Sequence, residues 1–314
     1  TVKAYCIDGS STLLAVQKAI NNGEVYPESN TDNAYVLKTD ISFSASSWTP
    51  IGKSSTYPFK GIFLGDNKKI TGSSTITVSS YGGLFGYLNG ATVDGLDLNY
   101  NIKIGSDDGQ YIGALAGHVS NSMISNITVT TTITGSASNK EIGGLVGFAS
   151  SSTLRDINAN VTIKDGTDIR YVGGVVGWLY SGSSVINANV TGAINGYYNV
   201  GGIVGWSSNS SIMDSSANDI NVVAESGNIG GLVGDCDSCT IDSCHTSGSV
   251  SGTSNIGGLI GDLGGKTVSN SYSSCTVSGS SSVGGFVGTV NSSSTIRDSY
   301  AVGEVSASRY SVGG

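Results

Sequence analysis

Charged residues are scarce in this chain, and their scarcity excludes several classes of function. Asp, Glu, Lys and Arg make up 12% of the 314 residues, about half of the usual share. Lys and Arg form no cluster and the net charge is −8, so we expect no nucleic acid as a partner. No apolar run reaches the roughly 18 residues that a membrane-spanning helix needs, so we expect no membrane insertion.

Residues that carry catalysis are also few. The chain has two histidines, His118 and His245, and they do not form the His-Glu-x-x-His pattern of zinc proteases. Many serines are present, but none is marked as a nucleophile by its neighbours. We therefore expect no catalytic residues, no metal site and no cofactor, and we interpret the chain as a non-enzyme.

Glycine, serine and threonine are abundant instead. Gly accounts for 47 residues, and Ser and Thr together for about a quarter of the chain. These residues are poor helix formers, so few helices are expected. The hydrophobic content of 38% is too high for a disordered tail. This composition is typical of an extracellular, repetitive protein, and we expect an extracellular or cell-surface location.

An internal repeat decides the architecture. The block apolar-Gly-Gly-apolar-apolar-Gly recurs along most of the chain, with a period of about 29 residues. Short apolar runs bounded by Gly, Ser, Asn and Asp follow each block and are typical of strands. One such unit cannot bury its own apolar face, whereas stacked units bury a continuous core. The sequence therefore predicts an all-β fold, a β-solenoid with one repeat in each coil, and the crossover rule favours right-handed coils. The first glycines of the blocks are Gly82, Gly113, Gly143, Gly173, Gly201, Gly230, Gly257, Gly284 and Gly313.

The N-terminal region lacks this repeat. Apolar residues at helical spacing predict a short helix near 11–21, with Ser10 or Ser11 as N-cap and Gly23 beyond its end. We interpret residues 1–47 as an N-terminal cap, with a strand over 34–43, and 48–81 as irregular opening coils. Residues 82–314 are expected to form the repeat solenoid, truncated or open at its C-terminal end.

The glycine blocks resemble the GLUG motif, named for Gly-Leu-any-Gly. The resemblance covers Gly82 to Gly314, and the stretch from Trp48 to Phe63 resembles the segment that often precedes these repeats. GLUG repeats occur in microbial surface proteins, including large adhesins, and in non-catalytic parts of immunoglobulin A peptidases. The resemblance implies a β-solenoid in a secreted or surface-anchored protein with an adhesive or spacer role. It implies no catalytic residues.

In most repeats, the strand-like run that follows the glycine block contains an Asn or Asp at one equivalent position. A ladder of such side chains would hydrogen-bond turn backbone and bridge adjacent coils. The alternative interpretation is a cation or catalytic site made from the carboxylates. We favour the structural ladder. Its members are Asn126, Asp156, Asn187, Asp214, Asn270 and Asp298.

A stripe of rings occupies the position directly after the glycine block. If this stripe faces outward, it offers an adhesive or glycan-stacking surface. If it faces inward, it is a core stack. Strand alternation favours the core, since the ring lies two residues after an apolar residue such as Val176, whereas the later change to Asp favours the surface. The candidate residues of the stripe are Tyr87, Phe148, Trp178 and Trp206, and His118 occupies the same position in its own unit. Further along the chain, this position is occupied by Asp235 and Asp262.

Five cysteines and several glycosylation sequons remain. In an extracellular chain, disulfides are the expected state of cysteine. Our preferred pairs are Cys236–Cys239 within a loop and Cys244–Cys275 between coils, with a four-thiolate zinc site as the alternative. Cys6 is either buried or paired with another molecule. N-glycosylation sequons lie at Asn160, Asn189, Asn209 and Asn291, and a further one at Asn126, which we expect to be poorly accessible within the ladder.

These observations favour an adhesin or stalk module that presents a rigid solenoid. The expected partner is a host or neighbouring-cell surface, including its glycans. Two alternatives stay open: a subunit of an extracellular filament that self-associates end to end, and a carbohydrate-binding or carbohydrate-active β-helix.

Overall fold

The computed structural model shows a β-solenoid of about ten turns, with 64% of the chain in strands and one helix among the residues that it describes. It describes residues 3–30, 32–43, 47–73, 75–78, 80–105, 111–135, 141–164, 169–291 and 293–313. The coil length of about 29 residues agrees with the spacing of the glycine blocks.

The helix and the strands have the following bounds. The first half of the chain contains β1 (Tyr5–Ile7), α1 (Ser10–Ile20), β2 (Ala34–Leu37), β3 (Ile41–Phe43), β4 (Ile62–Gly72), β5 (Ile76–Val78), β6 (Tyr81–Gly82), β7 (Phe85–Asn89), β8 (Thr92–Asn99), β9 (Ile102–Ile104), β10 (Tyr111–Ile112), β11 (Ala116–Ser120), β12 (Met123–Thr134), β13 (Glu141–Gly143), β14 (Val146–Ser150) and β15 (Thr153–Lys164). The second half contains β16 (Tyr171–Gly173), β17 (Val176–Tyr180), β18 (Ser184–Gly196), β19 (Val200–Gly201), β20 (Val204–Ser208), β21 (Ser211–Met213), β22 (Ser216–Ala224), β23 (Ile229–Gly230), β24 (Val233–Asp237), β25 (Thr240–Asp242), β26 (His245–Ser251), β27 (Ser254–Gly257), β28 (Ile260–Gly264), β29 (Lys266–Ser269), β30 (Tyr272–Ser273), β31 (Thr276–Gly284), β32 (Val287–Val290), β33 (Ser294–Arg297), β34 (Tyr300–Ala301) and β35 (Val305–Gly313).

Each strand pairs in parallel with its counterpart one coil further along. Leu154 pairs with Val185, for example, and Val176 pairs with Val204. The strands that begin near the end of each glycine block form one sheet of eight, and the others form a sheet of 27. Most residues stand over their equivalents in the next coil, so a sequence position becomes a column along the rod, and the register shifts at a few bulges, for example between Val190 and Gly192. The apolar columns form one contiguous core from the helix to the last coils.

The glycines of the blocks allow backbones to approach closely, and the second glycine is replaced only in the block that begins at Gly113, by Ala114. A Cβ on Gly177 would lie 2.7 Å from the carbonyl oxygen of Gly147 and 2.7 Å from the amide nitrogen of Ile142. A Cβ on Gly174 would collide with the carbonyl oxygen of Gly202. Neither Gly174 nor Gly177 has a left-handed φ. The glycine ladder therefore reflects contact between backbones rather than backbone conformation.

The N-terminal region closes one end of the core. Helix α1 buries Leu13, Val16 and Ile20. No helix in the described ranges is long and apolar enough to cross a bilayer. The N-cap is Gly9, without a side-chain cap, so the prediction of Ser10 or Ser11 was wrong. The strand predicted over 34–43 is interrupted, because polar residues 38–40 lie between β2 and β3.

The last described coil presents to solvent the apolar side chains that earlier coils bury. Ile296 and Val312 are 41% and 58% exposed. In the preceding coil, Val268 aligns with Ile296 and is completely buried.

Candidate functional site

Two columns of side chains meet on the outside of the corner that the glycine block makes. One column precedes the block and the other follows it, seven residues later in most coils. We call the two columns together the outer seam. The first column is Tyr81, Tyr111, Glu141, Tyr171, Asn199, Asn228, Asn255 and Ser282. The second column is Tyr87, His118, Phe148, Trp178, Trp206, Asp235, Asp262 and Thr289.

The rings of the second column lie outside the contiguous core, and all of them except the buried Phe148 are half-buried. Val176 and Leu179 are both completely buried, so strand alternation breaks between them. Trp178 lies between Gly177 and Leu179 and is half-buried on the outer face. The core placement that alternation favoured was therefore wrong. The buried residue that follows each ring was the signal for the outward placement.

The rings stack on one another along the rod. Centroids are 4.1 Å apart for Tyr87 and His118, and 4.6 Å apart for His118 and Phe148. Trp178 and Trp206 stack at 4.7 Å with planes 12° apart. Between these two stacked pairs, Phe148 and Trp178 meet edge to face, with centroids 4.9 Å apart and planes 84° apart. The rings therefore form a continuous row of contacts, but they are not parallel along its whole length.

The first column was not predicted from the sequence, and its tyrosines pack against the rings of the second. Tyr111 lies 5.3 Å from Phe148, and Tyr171 lies 5.8 Å from Trp178 and 5.1 Å from Trp206, between centroids. The signal was present in the sequence, since these residues stand seven positions before the rings. Without a structure, nothing places the two ends of that segment side by side.

Burial keeps two ionisable groups of the seam close to neutral. Glu141 aligns with Tyr111 on one side and Tyr171 on the other. Desolvation raises the pKa of Glu141 to about 7. Desolvation lowers the pKa of His118 to about 4, so this imidazole is neutral at pH 7.

Amides and carboxylates replace the rings in the later coils. Asp235 Oδ2 accepts hydrogen bonds from Asn199 Nδ2 at 3.2 Å and Asn228 Nδ2 at 3.0 Å. Asn255 donates to Asn228 Oδ1 at 2.8 Å, and Thr289 donates to Asn255 Oδ1 at 2.9 Å. Burial, and then repulsion from Asp262, raise the pKa of Asp235 to about 6, although the two amides lower it.

Several buried polar atoms of the seam have no hydrogen-bond partner. They include Trp178 Nε1, Trp206 Nε1, His118 Nδ1 and Asn199 Oδ1. Unpaired buried polar atoms are rare in folded proteins and each costs about 1–3 kcal/mol. Three further buried atoms without a partner lie outside the seam, at Asn33, Asn195 and Ser207. Other buried serines, such as Ser122 and Ser152, are bonded from coil to coil.

The Asn/Asp ladder has a conformational reason. All six members have φ between +51° and +58°, the left-handed region that Asn and Asp adopt more readily than most residues. Gly95 and Ser243 take the same conformation at their steps, with φ of 72° and 55°. Asn187 Nδ2 also donates to Asp156 Oδ1 of the previous coil at 2.7 Å. No group of three or more potential metal ligands occurs among the described residues.

The cysteines divide into one bridge and three free thiols. Cys236 and Cys239 form a disulfide, whereas Cys244 and Cys275 are buried and unbonded, so the second predicted pair was wrong. The coil is shorter than average there, since His245 pairs with Tyr272. The residue that stands over Cys244 is therefore Ser271, whose hydroxyl accepts from the Cys244 amide at 3.1 Å. Cys6 is exposed, and pairing with another molecule stays a prediction.

The sequon asparagines all face solvent. Asn160, Asn189, Asn209 and Asn291 are exposed. Asn126 is exposed too, contrary to the accessibility expected for it, because the ladder runs along an outer edge of the rod. Its Nδ2 donates to Asp94 Oδ1 at 2.7 Å.

Comparisons with known proteins agree with the repeat. The family model described as the GLUG motif matches residues 169–195 and 196–223. The chain carries GLUG repeats. Outside these two copies, the resemblance rests on the glycine blocks that continue in register along the rod. No curated protein matches the sequence.

Two solved structures resemble this GLUG-repeat chain. One is a crystal structure of a candidate immunoglobulin A1 protease from Bacteroides ovatus, with a TM-score of 0.52 and 16% identity, covering 99% of this chain and 84% of that one. The other is an IgA1 protease, with a TM-score of 0.46 and 16% identity, covering 98% of this chain. The GLUG-repeat chain spans 21% of that second protein. At this identity, the likeness to the first structure shows the β-solenoid fold alone.

Proposed function

We propose that this chain is a non-catalytic extracellular module that adheres to a cell surface by binding glycans along the outer seam. The observation that carries the proposal is the seam itself. It places rings, amides and carboxylates side by side on the outside of a rod whose core is complete without them.

The chemistry of the seam suits carbohydrate. Sugars present both apolar C–H faces and hydroxyl groups, and sites that bind them combine aromatic surface with a few fixed polar groups. The seam has both, since the stack from Tyr87 to Trp206 gives way to the amide network around Asp235. A rigid, repetitive scaffold also suits an adhesive role, because it presents an extended binding surface.

A glycan array with matched variants tests the proposal. The unaltered chain, Trp178→Ala and Trp206→Ala are compared with Tyr300→Ala, which removes a 56% exposed ring outside the seam. We expect the seam variants to lose at least tenfold in affinity, as for buried aromatic anchors in general, and Tyr300→Ala to bind normally. Circular dichroism checks that each variant is folded.

Two results would contradict the proposal. One is equal binding by all four proteins, which would place the ligand elsewhere on the rod. The other is release of shorter sugars during prolonged incubation of a bound glycan, which would show that the chain is an enzyme.

A further inference from the structure

A second row of rings lies outside the outer seam, on strands β26, β30 and β34. His245 pairs in register with Tyr272, and Tyr272 pairs with Tyr300 in the next coil. The centroids of His245 and Tyr272 are 5.0 Å apart, with planes 7° apart. Tyr272 and Tyr300 stack at 5.2 Å, with planes 5° apart. Two phenol rings are therefore held almost parallel in neighbouring coils.

The strand register sets this arrangement. Adjacent strands of a sheet lie about 4.8 Å apart, and the rings of Tyr272 and Tyr300 follow nearly the same spacing. Since one ring is close to a translated copy of the other, their equivalent ortho carbons are separated by a distance similar to that between the centroids. The Tyr300 amide donates to the Ser271 carbonyl at 3.2 Å, and the Tyr272 amide donates to the Cys244 carbonyl at 3.0 Å. The two phenols therefore stay side by side as long as the strands are paired.

This pair is also open to a reagent. Tyr300 is 56% exposed, and Tyr272 is half-buried. Of the tyrosine pairs in ring contact within the described ranges, the next most parallel is Tyr81 and Tyr111, whose planes are 28° apart. Both of these rings are half-buried in the outer seam, where Tyr81 also packs against Tyr87. Stacking, register and exposure thus coincide at Tyr272 and Tyr300.

We infer that Tyr272 and Tyr300 form an oxidative cross-linking site, at which a one-electron oxidant joins the two rings as dityrosine. Each phenol loses one electron and its O–H proton and becomes a phenoxyl radical. The two radicals pair their electrons in a new bond between ortho carbons. Each ring then transfers the hydrogen of that carbon to its oxygen, which restores the phenol. With a haem peroxidase as catalyst, the two electrons and two protons reduce one hydrogen peroxide to two waters.

The new bond joins two neighbouring coils across a 28-residue stretch of chain. Each coil of a solenoid packs only on its neighbours, so the coils with the least burial open first. The coil that contains Tyr300 also exposes Ile296, whose counterpart Val268 in the preceding coil is completely buried. A cross-link restricts the opened chain and so favours the closed coil. The site therefore acts as a covalent staple, independently of any ligand of the outer seam.

The test treats the folded chain at low concentration with a haem peroxidase and limiting hydrogen peroxide. Trypsin cleaves after Lys266, Arg297 and Arg309, so Tyr272 and Tyr300 fall in the separate peptides 267–297 and 298–309. The cross-linked product weighs two hydrogen atoms less than the two peptides together, whereas an uncleaved peptide weighs one water less. We expect the dityrosine fluorescence to reside mainly in this product, and the oxidised protein to run as a monomer on a denaturing gel.

A matched pair of variants separates stacking from exposure. Tyr300→Phe keeps the ring but removes the phenol that the radical requires. Tyr310→Phe removes a phenol that is 72% exposed but stands over Ser281 instead of a ring. We expect Tyr300→Phe to lose the cross-linked product and Tyr310→Phe to keep it. In the cross-linked protein, amide exchange in β33, β34 and β35 should slow about tenfold or more, because a cross-link of this span restricts the opened chain.

Each other outcome has a defined meaning. Dityrosine found only in covalent dimers, or lost equally in the two variants, shows that exposure alone decides the coupling and overturns the site. A cross-link that maps to Tyr81 and Tyr111, or no dityrosine in the folded chain, overturns it as well. Unchanged amide exchange after coupling overturns the role of the bond as a staple. None of these results bears on glycan binding by the outer seam.

Discussion

Glu141 gives the sharpest test of how the seam is built. Its carboxylate is half-buried between Tyr111 and Tyr171, and burial raises its pKa to about 7. In an unfolded chain this pKa is about 4.3. The folded protein therefore binds the proton more tightly than the unfolded chain does. Stability should be greatest below about pH 4.3 for this group and should fall as the pH rises from about 4.3 to about 7.

The magnitude follows from the size of that shift. Each pKa unit corresponds to about 1.4 kcal/mol, so the full effect would be about 4 kcal/mol. Glu141 is in part accessible to solvent, which screens its charge, and we reduce the expectation to about 1–2 kcal/mol. Glu141→Gln keeps the shape and removes the charge. We expect it to raise Tm by about 1.5–3 °C at pH 8 and to change Tm little at pH 4.5.

The assay is thermal unfolding followed by circular dichroism at both pH values. Glu24→Gln is the control, because Glu24 is exposed in the N-terminal region and its substitution should change Tm by less than about 1 °C. A lower Tm for Glu141→Gln at pH 8 would refute the reasoning. It would mean that the charged carboxylate is compensated within the fold.

Three further predictions concern the scaffold. Gly174→Ala should destabilise the rod by about 2 kcal/mol or more, measured by urea unfolding, because the new Cβ meets the carbonyl oxygen of Gly202; an unchanged midpoint would contradict the close-contact reading of the glycine block. Asn187→Val should lower the free energy of unfolding by about 1–2 kcal/mol, because Val adopts the left-handed φ of 54° poorly, whereas Asn187→Gly should be tolerated. Equal losses of stability in the two variants would show that the lost hydrogen bond, and not the backbone conformation, causes the effect. In the native protein a thiol reagent should label the exposed Cys6 quickly and the buried Cys244 slowly, since burial raises the Cys244 pKa to about 12; rapid labelling of Cys244 would show that this part of the core opens.

Much of the fold could be predicted from the sequence because a solenoid turns a linear period into a structural one. The spacing of the glycine blocks indicated the coil length, and the apolar runs between them indicated the strands. The helix was visible for the same reason, from the spacing of Leu13, Val16 and Ile20. Its cap was not, because Gly9 supplies no side chain that marks a helix start.

The site was harder to predict because it depends on how the chain bends at each block. Alternation counted from Val176 put Trp178 in the core, and only the buried Leu179 reveals that the alternation fails between them. The pairing of Trp206 with Tyr171 crosses coils, so no local pattern signals it. The predicted Cys244–Cys275 disulfide was wrong for a similar reason, since it depends on the local coil length. The coil near Cys244 is shorter than average, so Ser271 stands over Cys244, whereas a coil of average length would bring a residue closer to Cys275.

The same geometry explains why the seam can differ from coil to coil while the fold stays constant. The residues of the glycine block face other backbones or the core, so their identity is fixed by space. The two residues that flank the block face outward, and they change from Tyr and Trp to Asn and Asp without a change in strand register. The strand register is the same where the band carries rings and where it carries amides and carboxylates. Under the proposed function, the change in side chains along the band alters what the band binds. Substitution there should change ligand choice and leave the rod intact, which separates binding from folding at the level of single residues.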